Sequence, residues 1–134
     1  MTSSSILERV AARRDGSETK YTIEDDVHDD FGAFGWLRGA GARALMLELR
    51  KRDGNIIAFS YSWLERAEFD PSIGITLKFG SQEIRMVGCN LNNEVRPNVQ
   101  LFSGILRQQV PWVKEEGDSL NNSAKIHVEK IMIK

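Results

Sequence analysis

From Arg43 to Trp63 the chain reads RALMLELRKRDGNIIAFSYSW: two apolar-rich runs around a polar, glycine-bearing break. That is the pattern of a β-hairpin, and hydrophobicity selects its register. A two-residue loop at Asp53-Gly54 would set Leu47 against Ser60 and Leu49 against Ala58. A three-residue loop, Arg52-Asp53-Gly54, pairs Leu49 with Ile57, Leu47 with Phe59 and Leu45 with Tyr61, which collects the large apolar side chains on one face. It also puts Gly54 where such a loop takes a left-handed residue. The same logic places a turn over Asp70–Gly74, with Phe69 beside Ile75 and Ala67 beside Leu77. A two-residue turn at Gly80-Ser81 follows, with Leu77 facing Ile84, Ile75 facing Met86 and Lys78 facing Glu83.

Five consecutive strands are therefore predicted, at 44–51, 55–61, 65–69, 74–79 and 82–88. Their second face carries Glu48, Arg50, Arg66, Glu68, Lys78, Glu83 and Arg85 and reads as solvated. The apolar face needs a cover, and RPNVQLFSGILRQQV supplies a helix with Pro97 in its first turn and Val99, Phe102, Ile105 and Leu106 along one stripe. Gly104 inside that helix costs up to ~1 kcal/mol against Ala, a cost offset where it admits a close neighbour. VPWVKE predicts a short sixth strand, at an edge because of Pro111. The tail AKIHVEKIMIK either adds a strand or stays loosely attached, its alternation being broken at Glu129-Lys130.

At the other end, Ser5 to Glu8 reads as a capping box for a short helix stopped by Gly16, and residues 17–30 as an exposed acidic linker. The expected fold is α+β, mainly β: a five-stranded antiparallel meander curling into a small half-open barrel, covered by one helix, with a short extra strand. Residues 1–30 form the helix and linker, 31–114 the domain proper and 115–134 the tail.

Composition narrows the functional classes. A chain of 134 residues is one domain by size and needs neither disulfide nor metal to build a core. It has no apolar run near the ~20 residues of a membrane span, and its first residues lack a signal-peptide core. The single cysteine, Cys89, excludes an internal disulfide and suits a reducing compartment, so a cytoplasmic location is expected. The net charge of −1 is uneven: residues 1–30 carry eight acids and four bases, whereas residues 31–114 carry eleven bases and seven acids. A mildly basic centre is a possible contact for a polyanion, through Arg50, Lys51, Arg52, Arg66, Lys78 and Arg85, although Glu48, Glu68 and Glu83 interleave with them.

Candidate chemistry is sparse. EDDVHDDF, from Glu24 to Phe31, offers several carboxylates and His28, but lacks the ligand order and glycine of a calcium loop and the second His or Cys of a zinc site. Cys89 has no base nearby in sequence, no serine sits in a nucleophile elbow, and the glycines of FGAFGWLRGAGAR precede a strand where a dinucleotide loop would follow one. No catalytic residue, metal or cofactor is expected. Phe31, Phe34 and Trp36 read as core; Trp63, at the bend between the second and third strands, is either a corner of the core or an exposed contact residue.

The stretches FGAFGWLRG, RALMLELRKRDGNIIAFSYSWL, EFDPSIGITLKF and IRMVGCNL together resemble a group of small bacterial proteins of unknown function, over residues 31–114. That resemblance implies a domain and brings no functional residues. The strand layout, with its RKRDGNIIAFSY hairpin, is similar to Sm-like RNA-binding barrels. The loop YSWLERAEF, however, lacks the Asp and Asn those proteins use around a bound base. The leading expectation is a non-enzymatic interaction module, contacting a protein partner or a second copy through an edge strand, with Trp63, Arg50, Arg52, Arg66, Lys78 and Arg85 as its candidate surface. Nucleic-acid binding through the same cations is the alternative, and a small-molecule site between helix and sheet comes third.

Overall fold

The computed structural model describes residues 28–39, 41–118 and 125–134; the helix expected from Ser5 and most of the acidic linker lie outside them. Among the described residues the chain is mainly β, with strands β1 (His28–Asp30), β2 (Gly35–Leu37), β3 (Met46–Arg50), β4 (Ile56–Ser60), β5 (Leu64–Asp70), β6 (Gly74–Phe79) and β7 (Gln82–Cys89), then helix α1 (Leu101–Leu106), β8 (Trp112–Lys114) and β9 (His127–Ile133). They form three sheets, ordered β8-β3-β4, β9-β7-β6-β5 and β1-β2.

All three hairpins take the registers that hydrophobic pairing selects. Leu47 faces Phe59 and Leu49 faces Ile57. Phe69 faces Ile75 and Ala67 faces Leu77, and Ile75 faces Met86 while Lys78 faces Glu83. Gly54, at φ 95°, closes the first turn in the left-handed region.

The five strands do not form one meander, and none of the sheets closes into the expected barrel. The break comes at the corner after β4. Ser60 caps a single 3-10 turn, Tyr61–Trp63. The Tyr61 side chain is buried there, its hydroxyl donating to the Val110 carbonyl at 2.7 Å. The anchored turn redirects the chain into a second sheet, so β4 and β5 become edges of different sheets instead of neighbours.

Two non-local pairings complete the sheets. β8 runs parallel to β3, Val113 facing Leu49. Its other side is flanked by Phe34, bridged to Val113, and by hydrogen bonds from Lys114 N to Ala33 O and from Leu37 N to Gln109 O. The sixth strand is thus present but covered on both sides. Pro111 is tolerated because it precedes the strand, offering its carbonyl to Glu48 N without needing an N–H. The tail is a full strand, β9, antiparallel to β7. Its broken alternation is a bulge: the register shifts between Val128 and Lys130, which keeps both Val128 and Ile131 buried. At the N-terminal side, His28–Asp30, read as the end of the linker, pairs with Gly35–Leu37.

The helix is shorter than expected. Residues before Leu101 form a tight turn, Val99 N bonding to Arg96 O, with Asn98 at φ 65°, a conformation no helix accommodates. Its buried residues are Leu101, Gly104 and Ile105; Phe102 is half-buried against the core and beside Phe69, and Leu106 is exposed. Gly104 lies so close to the Trp36 ring and Val110 that a Cβ there would collide with both.

One side chain ties the two larger sheets together. Glu115 is 8% exposed. Its Oε1 accepts from the Arg52 amide at 3.0 Å, in the β3–β4 turn, and its Oε2 accepts from the Ile131 amide at 2.7 Å, in β9. Lys51 Nζ lies 3.4 Å from the same carboxylate and also donates to the Ile131 carbonyl. Burial pushes this carboxyl's pKa up. The Ile131 and Arg52 amides and the Lys51 ammonium outweigh it, so the group sits below its ordinary 4.5.

Two outcomes follow. Gly104→Ala, which helix propensity favours by ~1 kcal/mol, is expected to destabilise by about 1–2 kcal/mol through overpacking, measured by chemical denaturation. Glu115→Gln is expected to cost about 2 kcal/mol at neutral pH, since one amide loses its acceptor and Lys51 its counter-charge. Because the folded carboxyl binds its proton less tightly than the unfolded one, its contribution is complete above 4.5 and falls as pH drops through the lowered folded value. The variant's acid limb is therefore shallower than the wild type's. Asp29 and Asp70, whose pKa values are also lowered, still contribute to both.

Candidate interaction surface

Of the acidic cluster, His28, Asp29 and Asp30 lie among the described residues, and Asp29 forms ion pairs. Asp29 takes Arg38 Nε on Oδ1 at 2.9 Å and Arg96 on Oδ2 at 2.6 Å, and these guanidinium groups hold its carboxyl below the ordinary carboxylate range. Asp30 accepts from the Gly32 amide, and the His28 ring stands edge-on to Trp112. Among the described residues no group of three or more His, Cys, Asp and Glu is arranged around a common point. Asp29 acts as a clasp between β1 and the chain around Arg96.

Cys89 is exposed at the end of β7, and His127 stands opposite it in β9. The His127 Nε2 faces the Gly117 carbonyl, and Nδ1 lies 3.4 Å from Glu116 Oε1, so both ring nitrogens are engaged by other groups.

The candidate cations separate into two groups. Arg66, Lys78 and Arg85 share the outer face of the four-stranded sheet, where Arg66 faces Lys78. Glu68 lies 2.6 Å from Arg66, and Glu83 lies 3.5 Å from Arg85. Arg50 and Arg52 belong to the other sheet. Arg50 bonds Glu48 at 3.2 Å and stacks 4.4 Å over the Trp112 ring, while the Arg52 side chain lies over Gly117. Carboxylates interleave throughout, so the summed field over either face is weak.

The apolar surface is more concentrated. Leu45, Met46, Ile56, Ile57 and Trp63 are exposed, Leu45 at 78% and Trp63 at 67%. Leu45 immediately precedes β3, and the other four fall on β3, β4 and the corner that follows. Trp63 is thus exposed and not core, whereas Phe34 and Trp36 are buried and Phe31 half-buried. Sequence pairing placed Leu45 and Ile57 on the inward face. They project beyond the cover, which buries only Leu47, Leu49 and Tyr61 of that row. The doublets Leu45-Met46 and Ile56-Ile57 signal the exposure of Met46 and Ile56, because adjacent residues of a strand point to opposite faces. The exposure of Leu45 and Ile57 depends on where the cover ends, which no local pattern carries.

β4 is also an open edge among the described residues. Lys51 N bonds Asn55 O and Tyr61 N bonds Leu45 O, so the odd-numbered residues between them face β3. Antiparallel alternation then directs the N–H and C=O of Ile56 and Ala58 outward.

Two open clefts, of about 510 and 520 Å³, lie at the β5–β6 turn and beside Phe31–Ala33; neither is lined by α1. No helix among the described residues is long and apolar enough to cross a membrane. No family model, characterised protein or solved structure matches the chain.

Proposed function

We propose that this chain is a non-enzymatic interaction module whose contact surface is the β4 edge with Leu45, Met46 and Trp63 beside it. The observation that carries this reading is the coincidence of two features on one stretch. Outward-facing backbone groups at Ile56 and Ala58 lie on the same hairpin as exposed large apolar side chains, Met46 and Ile56 on one face and Leu45 and Ile57 on the other. Either feature alone is tolerated at a surface; together they form a template for a protein strand, with main-chain bonds for affinity and apolar contacts for fit. Trp63 has the size and exposure of an anchoring residue in such a contact. The cations carry no comparable concentration, being divided between two sheets and interleaved with Glu48, Glu68 and Glu83.

The test is site-specific photo-crosslinking in cells. A photoreactive residue at Ile57 or Trp63 is expected to give discrete protein adducts, and one at Lys78, on the charged face, is not. Trp63→Ala is expected to lower the adduct yield at position 57 about tenfold or more. Absence of adducts at 57 and 63, or equal yield at 78, overturns the reading.

A further inference from the structure

We infer that the occupant of the β4 edge is a second copy of this chain, its β4 pairing antiparallel across a two-fold axis at Ala58 to make one continuous sheet. This rests on the reading of β4 as the contact surface and goes on to identify the partner.

The other edges of the two larger sheets are protected. β5 carries Glu65, Arg66, Glu68 and Asp70 and has an irregular register between Leu64 and Arg66. β9 carries Glu129 and Lys130 and a bulge at that point. Charges and bulges are the usual means by which an edge is kept from pairing. The outer side of β8 is flanked by Phe34 and its neighbours. Among the described residues β4 has none of these protections. Its register is unbroken, and from Asn55 to Leu64 there is no charged residue and no proline.

Symmetry makes that absence informative. A two-fold contact sets residues against their own copies, so any charge near the axis would meet its like. An axis at Ala58 brings two small side chains together at the centre, sets Ile56 against Ser60 and sets Ile57 against Phe59. The outward amide and carbonyl of Ala58 then bond to those of the facing Ala58 in both directions. Each Ser60 N–H reaches the facing Ile56 carbonyl, and the sheet order becomes β8-β3-β4-β4-β3-β8.

The experiment is sedimentation analysis of the full chain from sub-micromolar to millimolar concentration. Wild type is expected to shift from monomer to dimer. Ala58→Pro removes the outward N–H while leaving the ladder to β3, and is expected to weaken dimerisation at least ~10-fold. Ala58→Lys and Ala58→Glu place like charges on the axis and are each expected to weaken it as much, yet to form a heterodimer when mixed. Circular dichroism confirms that each variant is folded, and the charge pair serves where the proline variant is not. A wild type that stays monomeric throughout overturns the second copy, while adducts at position 57 with another protein would leave the interaction reading standing. A dimer unaffected by all three substitutions, or a Lys and Glu mixture that does not associate, overturns the Ala58 register.

Discussion

A carboxylate stripped of most of its water must be given other donors, and Glu115 receives them from both large sheets. One oxygen is held by the Arg52 amide at the end of the first hairpin and the other by the Ile131 amide in the last strand. Around the same point the backbone continues the link, with Glu115 N bonding Arg50 O and Glu116 N bonding Val128 O. Two sheets that share no strand are thus joined at one buried charge. Such a link is directional where apolar packing is not: the carboxylate is satisfied only when the hairpin turn and β9 meet it in one geometry. The apolar core formed by Leu47, Leu49, Ile75, Leu77, Ile84 and Met86 then fills the space that this geometry defines.

What was legible in the sequence and what was not divides along the same line. The hairpins could be read because each depends on a few neighbouring residues: a turn that only certain residues adopt, and a register that only one apolar pairing satisfies. The pairing of β8 with β3 joins segments some sixty residues apart along the chain, and nothing in VPWVKE names its partner or its parallel direction. Glu115 itself, in VKEEGD, has the local look of a solvated charge. Only the three-dimensional convergence of two amides and Lys51 makes it structural. The barrel failed as an expectation for a related reason. Five strands in succession suggest one sheet, but Tyr61 finds its acceptor on Val110, far away in sequence, and that bond helps hold the corner where the sheet divides.

The division has a consequence for the surface. Splitting a meander between its second and third strands creates two new edges from one continuous piece of chain. They are chemically opposite. β5 is charged along its length and irregular at its start, whereas β4 is uncharged and regular. If edges were simply tolerated, similar treatment of both would be expected, since both face the same solvent and carry the same risk of adventitious pairing. The β5 edge carries the features that discourage pairing, and the β4 edge lacks them.

The β4 edge is also held still. Its turn is fixed where the Arg52 amide meets Glu115 and where Asp53 accepts from the Asn55 amide, and its far end is fixed where Tyr61 is buried. Pairing with another strand therefore costs little ordering of β4 itself, and more of the gross hydrogen-bond and apolar gain survives as affinity. A mobile strand with the same side chains would lose much of that gain to conformational entropy. The buried carboxylate and the open edge are in this sense one arrangement: the first helps fix the hairpin on which the proposed contact depends. Weakening Glu115 is accordingly a way to loosen the edge without touching any residue on it.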